Sequence, residues 1–522
     1  MLTSNRLTFA IGGLLAAALA CLYGVGVSAP GVGFSHDDGI YVVTAKALAT
    51  GQGYRIVSLP DAPAQTKYPP LFPLLLALVW KLYPVFPANV FAMKLIPLLA
   101  GVVWLRLSYK LLVQEGMSRT GALGVVLLTA GTGWAFFLGT TIFSDTVFAA
   151  LATAALLMLR RIEQRGASAV YVCMTGVVIG LALLTRTSGI ALLAAGVVAL
   201  VYKRSFRNAI LLGVVSAAIY APWVWWTHIH PDSGRRMYSY YTSANYRDWN
   251  IVFGFAPAEK LAVVWGNLIH LAGSPLILLE LPYVLWMFLL VPAGIGMGYG
   301  LLRAMAGERS KIIPLFLICY FGLLVLWAWP TERFVATVFP LVLFLFWVAG
   351  ENIRGTAWLR WSMRVAAVVA VAYLGEARYG VCRRVMENGA DTNYNWTALE
   401  SVTAWIERAT PPDAVVVSGL DPAIYLCTGR KGLRGFDLNP AALFYNTGKE
   451  RNAAIEPDEM IREIAESGAT YLVAITVHGG DDILALNRAI AEMLRAKPNA
   501  FRLAYRGPAE YAVYEIDRRA LE

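Results

Sequence analysis

The chain has 522 residues, of which 58% are hydrophobic and 15% charged, with a formal net charge of +10. Average soluble domains carry about 25% charged residues, so the composition excludes an ordinary soluble enzyme and points to a polytopic membrane protein with one soluble appendage. The positive balance does not point to nucleic acid, because Lys and Arg gather at the ends of apolar segments, where the positive-inside rule accounts for them.

The first apolar run spans residues 7–29. Val27-Ser28-Ala29 resembles a signal cleavage site, but the run is long for a secretory signal and reads as an uncleaved first span. Directly after it come His36-Asp37-Asp38-Gly39-Ile40-Tyr41, and then Thr66-Lys67-Tyr68-Pro69-Pro70. Residues 71–83 are apolar but short, with Pro69, Pro70, Pro73, Pro84 and Pro87 in or beside them. A span needs about 20 apolar residues, whereas 10–14 suit an interfacial or re-entrant helix. The further candidate spans are 90–112, 120–142, 145–160, 168–185, 188–202, 208–227, 276–302, 312–329, 334–350 and 358–376.

The loops between these spans alternate in charge. Arg6 belongs to the basic set, with Arg106, Lys110 and Arg119; Arg160, Arg161 and Arg165; Lys203, Arg204 and Arg207; Arg303, Arg309 and Lys311; and Arg354, Arg360 and Arg364. The positive-inside rule makes them cytoplasmic. The loop after Ala29, Ser144-Asp145, residues 185–188, the long segment 228–275 and residues 330–333 then face outward. Eleven spans result, with the amino terminus cytoplasmic, the carboxyl terminus extracytoplasmic and residues 71–83 at the interface. The expected location is the cell (inner) membrane.

Past the last span the composition turns soluble. Residues 396–408, 456–466 and 482–495 carry helical patterns, 414–418 and 471–477 read as buried strands, and 501–505 and 511–516 flank Gly507-Pro508 as a hairpin. The expected fold class is therefore mainly α: a polytopic membrane helical bundle over residues 1–380, followed by a small extracytoplasmic α/β domain over 395–522. Arg430-Lys431 reads as a solvated turn. Of the five Cys, Cys21, Cys173 and Cys319 lie in apolar segments, whereas Cys382 and Cys427 fall where pairing is conceivable; none has metal-ligand spacing.

Two acids stand out at outward-facing span ends. Asp37, with Asp38 beside it, is a candidate general base, and Asp145 is a second acid able to line the same cavity. Helix capping is the plainer reading for each. Together they would suit a hydroxyl acceptor or a divalent cation. Outward cations run against the topology bias, which singles out Lys67, Arg186, Arg235, Arg236 and Arg333. They could clamp a phosphate, or contact lipid headgroups by snorkelling. Tyr41 and Tyr68 flank the acids and the Lys as candidate substrate contacts. His228 and His230 lack a third metal ligand.

In this order along a multi-span chain, the pieces resemble the GT-C superfamily of lipid-phosphate-dependent glycosyltransferases, in particular the prokaryotic relatives of protein O-mannosyltransferases and of the lipid A aminoarabinose transferase. The matching residues are Asp37-Asp38 with Tyr41, Ala45 and Gly51; Lys67 with Pro69-Pro70-Leu71; Ser144-Asp145; Leu184-Thr185-Arg186 with Gly189; and Arg333 with Pro340. Asp38 stands where that family usually has Glu, Thr66 where the aminoarabinose transferases have an acid, Arg186 where several relatives have Lys, and Phe334 where Tyr is usual. The resemblance implies inverting transfer of a monosaccharide from a polyprenyl-phosphate donor, with Asp37 as base, Lys67 and Arg333 on the phosphate and Asp145 positioning acceptor or sugar. The implied partners are membrane lipids, that donor and a protein, lipid or glycan acceptor. A transporter or flippase, a polymerase of lipid-linked sugars and an envelope scaffold are the competing readings.

Overall fold

The computed structural model describes residues 2–231, 236–244, 246, 252, 254–351, 357–388, 396–446, 454–475 and 481–521. Arg235 and Arg354, named above, lie outside these residues, as do positions 395 and 476–477 of the expected C-terminal elements and the side chains of Arg6, Arg236 and Arg360.

Apolar runs become helices because a backbone in lipid must satisfy its own hydrogen bonds. Six described helices are long and apolar enough to cross a membrane, and the pair Arg119–Gly131 and Gly133–Thr140, bent by 68°, makes up to seven. The bend falls at Thr132, whose hydroxyl caps the second helix by accepting from Ala135 N at 3.3 Å. Asp145–Arg165, Ala169–Thr185, Ile190–Tyr202, Ile312–Val325 and Phe339–Ala349 take the places of the other expected spans. The chain is a multi-pass membrane protein. Its helices approach closely at small residues: a Cβ on Gly176 would meet Val215 at 2.9 Å, and one on Gly180 would meet Ile219 at 2.6 Å.

One expected loop holds a helix. Tyr283–Ala306 takes the place of the expected span 276–302, and Pro257–Leu278 precedes it within the expected outward segment 228–275. Glu259, Lys260, Asn267 and His270 dilute the apolar pattern of Pro257–Leu278, so the sequence alone reads it as loop. Glu259 and Lys260 bond locally at the helix start, whereas Asn267 and His270 face the C-terminal domain and a loop near it: Tyr445 Oη donates to Asn267 Oδ1 at 2.7 Å, and His270 pairs with Glu332 at 2.5 Å. The short helix Leu71–Leu82, in contrast, follows expectation. Its 12 residues reach about 18 Å, short of the ~30 Å hydrocarbon core, and Pro70 and Pro84 bound it, whereas Phe339–Ala349 is extended by the helix Glu332–Ala336. It packs on the helix Asp37–Ala49, with the Tyr41 and Phe72 rings 5.0 Å apart.

The bundle has two polar ends. At one, Arg160 pairs with Glu115, Arg309 with Glu351, and Glu163 accepts from Ser310 Oγ and Lys311 N. This end gathers three of the basic loops. At the other end the C-terminal domain covers the loops that hold Asp37 and Lys67.

That domain is a five-stranded mixed sheet in the order β2-β1-β3-β5-β4, built from β1 (Val415–Ser418), β2 (Lys431–Leu433), β3 (Tyr471–Ala474), β4 (Phe501–Arg506) and β5 (Ala512–Ile516). β1 runs parallel to β2 and β3; β5 is antiparallel to β3 and β4. The hairpin and the helices Trp396–Ala409, Pro457–Ser467 and Asp481–Ala496 fall where the pattern placed them. Arg430-Lys431 is not a free turn. Lys431 opens an edge strand, and Arg430 donates to the carbonyls of Glu407, Thr410 and Thr428. Nor is the domain a detached appendage: Ile424, Leu433 and Phe436 share one hydrophobic core with Val43, Ile56 and Phe72. All five cysteines are free thiols, and Cys382 donates to Leu22 O at 3.3 Å.

Candidate active site

The helix Asp37–Ala49 begins at the acid itself. Its two acids have different surroundings. Asp38 turns back on the preceding loop, where it accepts from Gly33 N at 2.6 Å and Ser35 N at 3.2 Å. Burial pushes its carboxyl up to about 6, against the lowering effect of these amides. Asp38 thus accepts from the amides of the preceding loop rather than capping the helix, which has no side-chain cap, and it stands apart from the ion network.

Asp37 enters that network. Its Oδ1 accepts from Tyr68 Oη at 2.5 Å and its Oδ2 from Arg333 Nη1 at 3.1 Å. Arg333 reaches on to Asp145 through Nη2 at 2.9 Å and Nε at 3.3 Å, the forked geometry of a strong guanidinium–carboxylate pair. Arg186 completes the set with a 2.7 Å contact to Asp145 Oδ2. Both guanidiniums lie over aromatic rings, Arg333 over Phe143 at 4.3 Å and Arg186 over Phe334 at 5.3 Å. Tyr41 Oη bonds Ser144 Oγ at 3.1 Å. The Asp145 side chain is fully buried, but Asp37 and Arg333 keep 22% and 21% of theirs exposed, so the network opens on the Asp37 side.

Burial works to raise the Asp37 carboxyl pKa, but the Arg333 and Lys67 charges and the Tyr68 hydroxyl outweigh it and hold it below the usual carboxylate value. Lys67 sits in a loop tied by Gln65, whose side-chain oxygen accepts from Lys67 N at 2.9 Å and Tyr68 N at 3.2 Å. Lys67 Nζ donates to Tyr240 O at 2.7 Å and lies 4.0 Å from the Tyr240 ring centroid. Burial brings its pKa down to about 7, although Asp37 pulls it upward.

The sequence placed Asp37, Asp145, Arg186 and Arg333 as separate candidates; here they form one connected group, with Tyr68 bonded to it and Lys67 electrostatically coupled. Sequence reasoning missed the contribution of the C-terminal domain. Asp421 pairs with His36 at 3.2 Å, and Arg434 lies 4.3 Å from the Tyr240 centroid on the wall that also holds Lys67. Asp421-Pro422 reads as an ordinary helix start, and nothing in the sequence around Arg434 distinguishes it. Burial, with Arg434 and Lys67 nearby, keeps His36 neutral by lowering its pKa well below 6.5.

Comparison with known proteins bears on this arrangement. The family model for dolichyl-phosphate-mannose-protein mannosyltransferases matches residues 67–226, a stretch that contains Lys67, Asp145 and Arg186. The structure superposes on ArnT from Cupriavidus metallidurans bound to undecaprenyl phosphate with a TM-score of 0.57 at 13% identity, covering 96% of this chain and 97% of that one. The fold is that of the GT-C superfamily. The Archaeoglobus fulgidus oligosaccharyltransferase, in complex with Zn and sulfate, also shares the GT-C fold, with a TM-score of 0.51 at 13% identity over 95% of this chain and 72% of that one. No curated protein matches. The GT-C fold extends through the C-terminal domain, because the superposition on ArnT runs over nearly all of both chains.

Proposed function

We propose that the protein is a glycosyltransferase that moves a sugar from a polyprenyl-phosphate carrier to an acceptor hydroxyl at the extracytoplasmic face of the cell membrane. One observation carries the reading: Asp37, Asp145, Arg186 and Arg333, far apart in sequence, converge at the end of the bundle opposite its basic loops. By the positive-inside rule those loops are cytoplasmic, which puts this site and the C-terminal domain outside. The family match and the undecaprenyl phosphate bound by ArnT support a polyprenyl-phosphate donor.

In this mechanism the acceptor oxygen attacks the anomeric carbon with inversion while its proton passes to Asp37. The bond from the anomeric carbon to the phosphate oxygen breaks, and its electron pair leaves with the lipid phosphate. Lys67 and Arg333, with Arg186 behind them, offset the charge that gathers there, an effect of about 3–4 kcal/mol per donor in comparable sites. A base held at low pKa is fully ionised but weak. The incoming phosphate competes with Asp37 for Arg333, and as that pairing loosens the carboxylate becomes more basic. Tyr68 holds Asp37, Asp145 fixes both guanidiniums, and Tyr41 orients Ser144 beside them.

A divalent cation suits this donor set poorly. Both carboxylates accept from Arg333, and no group of three or more His, Cys, Asp or Glu able to hold a metal occurs among the described residues.

The test is incubation of the purified protein with a panel of radiolabelled polyprenyl-phosphate sugars and envelope extract. Release of free lipid phosphate with label on an acceptor is the expected result. Donor left intact across the panel, or carried across the bilayer without cleavage, contradicts the proposal.

A further inference from the structure

The backbone just before Asp37 is strained, and the transfer chemistry leaves it unexplained. His36 has φ 61° and ψ −55°, where residues with a Cβ are uncommon. Asp37 N donates to Ser35 O at 2.7 Å, closing a three-residue turn around His36. This is the strained form of the γ-turn. Such a turn persists only where its surroundings over-determine it, and strain of this kind gathers at functional sites.

Much of what holds the turn comes from the C-terminal domain. Asp421 Oδ1 bonds His36 Nε2 at 3.2 Å, with the two side chains 0% and 6% exposed. The imidazole packs against Tyr240 and Tyr241, at centroid distances of 4.9 and 5.4 Å. Tyr241 Oη in turn accepts from the Arg434 amide at 2.7 Å. Asp421 opens the helix Asp421–Thr428, whose first turn rests directly on the loop. A Cβ at Gly33 would meet Ala423 Cβ at 2.7 Å, and one at Gly39 would meet Pro422 Cβ at 2.7 Å. The two glycines thus let the helix dock on both sides of His36.

We infer that Asp421 is a positioning residue: through His36 it holds the strained turn from which Asp37 is aimed at Arg333 and Tyr68, so that the C-terminal domain sets the geometry of the site. The inference rests on the reading of Asp37 as the base. It assigns the domain a role in turnover rather than in donor binding, because Asp421 touches the turn and not the cations that face the phosphate.

Misplacing a reacting group by about 1 Å costs on the order of 10²-fold in rate, so Asp421→Ala is expected to lower kcat by one to two orders of magnitude with little change in KM for the lipid donor. Glycine adopts positive φ without a Cβ penalty. His36→Gly in the Asp421→Ala background is therefore expected to recover part of the lost kcat, and His36→Ala alone to lose more than His36→Gly alone. Unchanged kcat in Asp421→Ala, or a double variant no faster than Asp421→Ala, overturns the inference. If Asp421→Ala does not fold, the His36→Gly and His36→Ala pair decides the matter alone, and equal rates overturn it. Hydrogen exchange over residues 33–40 gives a reading independent of activity. Asp421→Ala, or His36→Ala where Asp421→Ala does not fold, should exchange faster there than wild type, and equal protection overturns the inference. Should the wild-type protein transfer no sugar at all, the proposed function fails, while the exchange measurement still decides whether the domain holds the turn.

Discussion

The ion network around Glu115 and the one around Asp145 lie at opposite ends of the same bundle and are built differently. At the Glu115 end, acids and cations staple neighbouring loops through backbone groups: Glu163 accepts from Lys311 N, and Arg309 donates to Glu115 O. At the Asp145 end nearly every link joins two side chains drawn from distant parts of the chain. There two carboxylates face two guanidiniums with Lys67 beside them, so positive charge is in excess next to a partly exposed acid. At the other end three acids (Glu115, Glu163 and Glu351) meet Arg160 and Arg309. A network that only fastens loops has no need of surplus cation; one that receives a phosphate does.

The largest expected effect that separates the two ends comes from Arg333→Lys. A lysine keeps the charge but cannot bridge Asp37 and Asp145 as a fork does. Turnover should fall by about 10²-fold, measured as lipid phosphate released per folded molecule, and full activity would show that the bridge is incidental. Lys67 sharpens the comparison through pH. Its pKa of about 7 in the free protein is set by burial, and in the proposed reaction the donor phosphate binds the charged form. The donor KM should therefore be flat below pH 7 and rise as pH climbs through and above it, approaching tenfold per unit. Lys67→Arg, which stays charged, should abolish that rise; a pH-independent KM in wild type would remove Lys67 from the phosphate site.

At the opposite end, Arg160→Ala leaves the nearly buried Glu115 carboxylate without its 2.5 Å partner. Stability should drop by about 1–3 kcal/mol, seen as a lower unfolding midpoint, with turnover per folded molecule unchanged. Loss of turnover in the folded variant would blur the division between the ends. The smallest effect is expected from Arg502→Ala. Its partner Glu515 lies across the β4–β5 hairpin with both side chains well exposed, a class of pair that contributes little. The unfolding midpoint should not move measurably.

Much of this division was legible in the sequence because lipid imposes strong rules. Charge alternation alone sorted Arg160 and Arg309 from Asp145 and Arg333, and the structure puts the first two at one end of the bundle and the second two at the other. The short run 71–83 was readable as non-spanning from its length and prolines. The helix Pro257–Leu278 was not, because Asn267 and His270, which serve contacts to Tyr445 and Glu332, broke its apolar pattern. Within the site, acids and cations at outward span ends could be named one by one. Their pairing could not, since Arg333 meets Asp37 across a sequence separation of 296 residues. Least legible was Asp421. An acid before proline at a helix start has a local explanation, and only the fold brings it against His36.

The central claim is that Asp37 accepts the proton during transfer. The direct test is single-turnover release of lipid phosphate by wild type and Asp37→Asn, in protein reconstituted with a donor and acceptor that support transfer. A variant that still binds the donor but releases lipid phosphate about 10²–10⁴-fold more slowly is the predicted result. Equal rates in the two proteins would contradict the account.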